Sequence, residues 1–121
     1  MRLFALRGAT SVESNRADAI LAATGELMRE LMKRNELVPE AMVSCIFTVT
    51  DDLDAEFPAV AARQLGLHSV PLLCAREVPV PGSLPRVIRV LVHYYAPEDH
   101  NPRHAYLGEA RSLRADLDAA Q

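Results

Sequence analysis

The sequence has no tryptophan, a single lysine (Lys33), two cysteines and only 5% aromatic residues, and each shortage closes a line of interpretation. Cys45 and Cys74 lie far apart and form no C-x-x-C, so a reduced chain is the economical reading. No apolar run approaches the roughly 20 residues of a membrane span. Arg7 and Gly8 cut the apolar start of the chain before a signal-peptide core could form, and a soluble, cytoplasmic protein is the expectation. Basic runs with interleaved aromatics are missing too, and a net charge of −3 with pI near 5.8 supplies no field to hold a nucleic acid. There is no G-x-G-x-x-G, no P-loop, no H-E-x-x-H and no G-x-S-x-G, which removes the familiar catalytic signatures.

What is present is ordinary globular composition: 121 residues, 50% hydrophobic and 24% charged, enough for one domain over 1–121 with one core and a loose tail from about 115. Arg2 to Arg7 alternates weakly and reads as a strand stopped by Gly8. Ile20, Leu21, Thr24, Leu27, Met28, Leu31 and Met32 recur with a period near 3.6 and predict an amphipathic helix from about Arg16 to Arg34, capped by Ser14 or Asn15. Its other face carries Glu26, Arg29, Glu30, Lys33 and Arg34 and reads as a solvated charge row. Met42 to Val49 is almost continuously apolar, the pattern of a strand covered on both faces. Phe57 to Leu65 predicts a short helix with Pro58 in its first turn, and Val70 to Ala75 another strand. Prolines 79, 81 and 85 with Gly82 force a loop; Arg86 to Tyr95 is the best strand in the chain, and Ala105 to Leu113 holds a last short strand or turn. The order predicts an α/β (α+β) fold, a mixed sheet with helices on one face, its continuously apolar strands covered by other subunits.

Several charged and polar residues stand in awkward places. Arg89 interrupts an apolar strand and must be paired or face a polar cavity. Arg7 ends the first strand on the face of Leu3 and Ala5, and Glu77, just after an apolar strand, is the natural partner for either arginine. His100 and His104 have helical ligand spacing beside Glu98 and Asp99, but Pro102 breaks the helix that spacing needs, so a polar loop is expected and no metal.

These positions also carry a resemblance. Arg7-Gly8-Ala9-Thr10 with Val12 and Glu13, Phe57-Pro58-Ala59 with Arg63, and Cys74 three residues before Glu77 come first. Pro81-Gly82-Ser83-Leu84 leading to Ile88-Arg89-Val90, then Arg103-His104-Ala105-Tyr106-Leu107 with Leu113-Arg114, complete the series over nearly the whole chain. Together they resemble the small, monofunctional, trimeric chorismate mutases, the β-rich family distinct from the all-helical one.

The resemblance implies a trimer whose three sheets form a barrel-like core, a pseudo-α/β-barrel with helices outside, and active sites in clefts between neighbouring subunits. It implies rearrangement of chorismate to prephenate in aromatic amino-acid biosynthesis, with no cofactor. Arg7, Glu77, Arg89 and Cys74 match catalytic positions and Tyr106 a substrate-binding one, with Leu73, Ala75 and Arg76 beside them. Phe57, Ala59 and Arg63 match the side given by the adjacent subunit, and Arg114 a mobile C-terminal contact. Val60 stands where some members have lysine and Leu73 where some have threonine, so those two polar contacts do not carry over. Convergence of Cys74 with Glu77 requires a bend, because strict alternation puts them on opposite faces. An enamine or imine deaminase, or a non-catalytic small-molecule-binding trimer on a similar fold, are the alternatives.

Overall fold

The computed structural model describes residues 1–113; Arg114 and the tail expected to be loose from about 115 lie outside the described residues. Strand β1 (Arg2–Ser11) is followed by helix α1 (Ala17–Arg34), strand β2 (Met42–Val49), helix α2 (Pro58–Gln64) and strand β3 (Leu72–Arg76). Strands β4 (Val87–Ala96) and β5 (Ala105–Tyr106) complete one sheet in the order β3-β2-β4-β1-β5. The sheet is mixed: β4 runs antiparallel to both β1 and β2, while β2–β3 and β1–β5 are parallel.

Both helices lie on one face, as the element order predicts. Leu27, Met28 and Leu31 of α1 and Ala59 and Ala62 of α2 share a core with Phe4, Leu6, Phe47, Val90, Val92 and Tyr94 from the sheet. Full burial of each large apolar side chain contributes about 1.5–3 kcal/mol, so this layer carries most of the fold's stability. Cys45 belongs to the same layer, and burial pushes its thiol up to about 12.

The first strand does not stop at Gly8. It continues to Ser11, because the glycine serves close approach and not a turn: a β-carbon there would stand 2.7 Å from Leu31 Cδ1, 3.1 Å from Leu27 Cδ1 and 3.2 Å from Val90 Cγ1. Helix α1 is seated directly on that bare patch of backbone. Its start also differs from the expected cap. Arg16 is the N-cap and makes no side-chain capping bond, while Asn15 turns away and holds the 54–55 loop through Asp54 N–H and Ala55 N–H, at 3.0 and 3.1 Å. At the other end of α1 the charge row is not wholly solvated. Glu30 accepts from Arg34 Nε at 2.7 Å, which lowers the Glu30 pKa, and Arg34 Nη1 donates onward to the His104 carbonyl at 2.9 Å.

Among the described residues, neither α1 nor α2 covers the second face of the sheet. Strand β2 is therefore covered on one side only within the chain: Cys45 and Phe47 are buried, whereas Ile46 and Thr48 face the other way and are half-buried. Leu3, Leu73 and Tyr95 remain 48%, 60% and 48% exposed on this face.

Candidate active site

The open face holds the charges that sequence reading found misplaced. On β4, Val90, Val92 and Tyr94 turn into the core, so alternation sends Arg89, Leu91 and His93 outward. On β1 the same alternation buries Phe4 and Leu6 and exposes Arg7. Register then sets Arg7 opposite Leu91, and Thr48 opposite Arg89. Tyr106 enters at the far edge, where β5 pairs with β1 at Gly8 and Ala9. These elements enclose a cleft of about 490 Å³ lined by Arg7, Ile46, Thr48, Arg89, Tyr106 and Leu113, among others.

Glu77 closes the corner of this cleft. It follows β3, its N–H donating to the Val49 carbonyl at 2.9 Å, and its carboxylate swings over the open face. Arg89 Nε lies 3.0 Å from Glu77 Oε2, and Thr48 Oγ1 donates to the same oxygen at 2.8 Å. Arg89 is half exposed, so this ion pair contributes little to stability; its effect is on geometry. Arg89 lines the cleft and carries further guanidinium N–H donors beyond this ion pair, and the second oxygen of Glu77 is a further acceptor.

Cys74 does not join them. In the β2–β3 register it stands opposite Phe47, on the helix side of the sheet, and packs against the core. No bend brings it to Glu77 within one chain, since β3 alternates normally and only the residue after its end reaches over the open face. Instead Cys74 lines a second groove of about 310 Å³ with Phe57, Pro58, Ala75 and Arg76, beside the edge strand β3. Phe57 is 66% exposed there, while Ala59 is buried within α2. Arg63 is exposed in the last turn of α2, Leu73 is exposed on the open face, and Arg76 reaches the Asp51 carbonyl at 3.4 Å. The two grooves share no lining residue.

The histidines at 100 and 104 go to separate places. His100 Nε2 lies 2.7 Å from the Tyr94 hydroxyl, and burial raises the Tyr94 pKa; His104 Nδ1 accepts the Arg7 N–H at 2.9 Å. Three cleft residues, Ile46, Thr48 and Leu91, were not named as candidates from sequence. Alternation in β2 puts Ile46 and Thr48 on one face, and Leu91 shares a face with Arg89 by the same rule. Leu113 was reached only through the resemblance.

Comparison with known proteins gives one answer. Residues 3–117 match the family model described as chorismate mutase type I. The chain is 54% identical over 119 residues to chorismate mutase AroH of Thermus thermophilus, covering 96% of this chain and 97% of that protein. It is 39% identical over 120 residues to chorismate mutase AroH of Bacillus subtilis, covering 97% and 94%. A solved structure of a chorismate mutase from Clostridium thermocellum superposes with a TM-score of 0.88 at 46% identity, over 91% of this chain and 99% of that one.

Proposed function

The chain belongs to the type I chorismate mutase family, which isomerises chorismate to prephenate, and we propose that it performs this reaction in clefts completed between copies of itself in a homotrimer. The observation that carries the proposal is the division of the site. The cleft of Arg7, Thr48, Arg89 and Tyr106 and the groove of Phe57 and Cys74 lie apart in one chain, and among the described residues Leu3, Leu73 and Tyr95 stay exposed on the sheet face beside the cleft. A neighbouring copy packed on that face brings its own Phe57, Cys74 and Arg63 to the mouth of the cleft and closes the ring. Cys74 is thus assigned to the neighbour's side, with Phe57, and not to the side of Glu77.

The chemistry fits a site of fixed charges. The rearrangement is an intramolecular [3,3] shift of a flexible dicarboxylate, whose enolpyruvyl arm must fold over the ring. Holding that conformer removes entropy from the barrier. Arg7 and Tyr106 grip a carboxylate, and Arg63 adds positive charge at the mouth. The ether bond breaks ahead of carbon–carbon bond formation, so negative charge develops on the ether oxygen and positive character on the ring. The terminal nitrogens of Arg89 donate to that oxygen, and because its Nε is held by Glu77, the guanidinium needs no reorganisation as charge appears. The other Glu77 oxygen accepts from the ring hydroxyl and lies near the positive region.

A cytoplasmic location in aromatic amino-acid biosynthesis belongs to the same reading. Both cysteines are unpaired, and among the described residues no helix is long and apolar enough to cross a membrane. The test is direct: incubate the purified protein with chorismate, follow its loss and the appearance of prephenate, and measure mass by light scattering in the same buffer. A trimer that forms prephenate is expected. A fully active monomer would overturn the shared cleft, and binding without turnover would select a non-catalytic trimer.

A further inference from the structure

We propose that His104 is a positioning residue for Arg7, its ring standing in for the main-chain acceptor that strand β5 is too short to provide. Strand β5 pairs with β1 only at Gly8↔Ala105 and Ala9↔Tyr106. One residue earlier on β1, the Arg7 N–H points toward the same edge, and no strand continues there to meet it. The carbonyls of Arg103 and His104 are turned to the end of helix α1: Arg103 O accepts from Asn35 Nδ2 at 2.9 Å, and His104 O accepts from Arg34 Nη1 at 2.9 Å. The Arg7 N–H donates instead to His104 Nδ1, at 2.9 Å. Because a backbone N–H can only donate, Nδ1 must be the unprotonated nitrogen of the ring, and the ring hydrogen sits on Nε2.

The ring is aimed by the end of helix α1. Asn35 is only 7% exposed, and its side-chain amide grips Arg103 from both sides, Nδ2 donating to the Arg103 carbonyl and Oδ1 accepting the Arg103 N–H at 2.8 Å. The same Nδ2 also donates to Leu31 O at 2.8 Å, which ties the clamp to the core residue seated against Gly8. Glu30 fixes Arg34, Arg34 fixes the His104 carbonyl, and the imidazole is delivered to the backbone of Arg7. The cleft arginine on β1 is thereby held on both edges of its strand: by the β4 ladder on one side and by His104 on the other. Two residues after His104 comes Tyr106, so one clamp sets the spacing of both groups assigned to the substrate carboxylate.

This role rests on the proposed use of Arg7 in carboxylate binding, but its first readout does not. Compare the wild type with His104→Asn, whose Oδ1 restores an acceptor near the position of Nδ1, and with His104→Leu, which keeps bulk and loses the acceptor. Amide hydrogen exchange at Arg7, read by NMR without substrate, should be slow in the wild type and His104→Asn and about tenfold faster in His104→Leu. With chorismate, His104→Leu should raise KM by about two- to tenfold with kcat within about twofold, and His104→Asn should restore KM. Imidazole ¹⁵N shifts of the wild type should show Nδ1 as the acceptor nitrogen, a measurement that stands even if His104→Leu does not fold. A protonated Nδ1, unchanged Arg7 protection in His104→Leu, or an Asn variant as impaired as the Leu variant would each overturn the role. Altered exchange at Arg7 in a protein that does not turn over chorismate would uphold the positioning contact and sink only the catalytic reading.

Discussion

Arg89 and Glu77 form an ion pair across the open sheet face, with Nε 3.0 Å from Oε2. The carboxylate anchors the guanidinium near its inner nitrogen, and the arginine's remaining N–H groups supply donors for a ligand. Arg89→Ala should cost about 3 kcal/mol of transition-state stabilisation, roughly a hundredfold or more in kcat. Arg89→Lys keeps the charge, loses the planar fork and should be severely impaired as well. Arg7→Ala should act more on KM, since a carboxylate grip is felt equally by substrate and transition state. Steady-state kinetics with chorismate checks all three; a folded Arg89→Ala protein of near wild-type kcat would make the residue structural.

Thr48 shares the Glu77 oxygen used by Arg89. Thr48→Val preserves shape and removes one donor, so Glu77 is less firmly held and kcat/KM should fall by about fivefold, the worth of about 1 kcal/mol. Thr48→Ser should recover most of it. A loss in Thr48→Ser with none in Thr48→Val would show that the methyl group, and not the hydroxyl, is what the site needs.

Copies that share clefts can repair one another. Arg89→Ala and Arg63→Ala proteins, each nearly inactive, should regain activity when mixed and allowed to exchange subunits, with about a quarter of the clefts built from two intact halves. Activity that stays at the sum of the two parents after verified exchange would place both arginines in one copy's cleft.

A rearrangement that transfers no proton in its chemical step should give kcat nearly flat between about pH 6 and 9, and unchanged by EDTA. A deaminase would need proton shuttling and would show a marked pH dependence. Turnover at saturating chorismate across that range, with circular dichroism to exclude unfolding, distinguishes the two chemistries.

At Gly8 the cost of a methyl group is steric. Gly8→Ala pushes against Leu31, Leu27 and Val90, all buried, and should destabilise the fold by about 1–3 kcal/mol, read as a lower denaturant midpoint. In a double-mutant cycle with Leu31→Ala, itself costly by about 2–5 kcal/mol, Gly8→Ala should cost less than it does in the wild type, because the added carbon then has room.

Much of this arrangement was legible in the sequence, and the exceptions share a cause. Met42 to Val49 was read with its observed bounds because local composition suffices for a strand with a buried face. Arg89 was legible as a paired strand arginine, and Glu77 is indeed its partner. Gly8 was misread because its reason lies in α1, twenty residues away, and no local signal separates a turn glycine from one that admits a helix. Asn15 looks like a cap in sequence, yet its side chain is spent on Asp54 and Ala55 across 39 and 40 residues. Cys74 was placed beside Glu77 on the strength of the resemblance alone, against strict alternation, and the register of β3 keeps it on the other side of the sheet. Periodicity reports which face a residue takes; it carries nothing about which distant partner that face meets.

Strand β1 lies between β4 and β5, so it is synthesised before either partner, both of which lie beyond residue 86. About 75 residues separate it from β4, and at ordinary synthesis rates it waits roughly 4 to 15 seconds before its ladder exists at all. Through that interval Phe4 and Leu6 have no sheet to join, and β2 and β3 can only pair with each other. Long-range closure of this kind makes folding late and slow for the chain's size. Arg7, the first charged residue of the cleft in sequence, is consequently among the last to be set in place, and a nascent chain halted before residue 87 should carry its amino terminus loose and open to proteases.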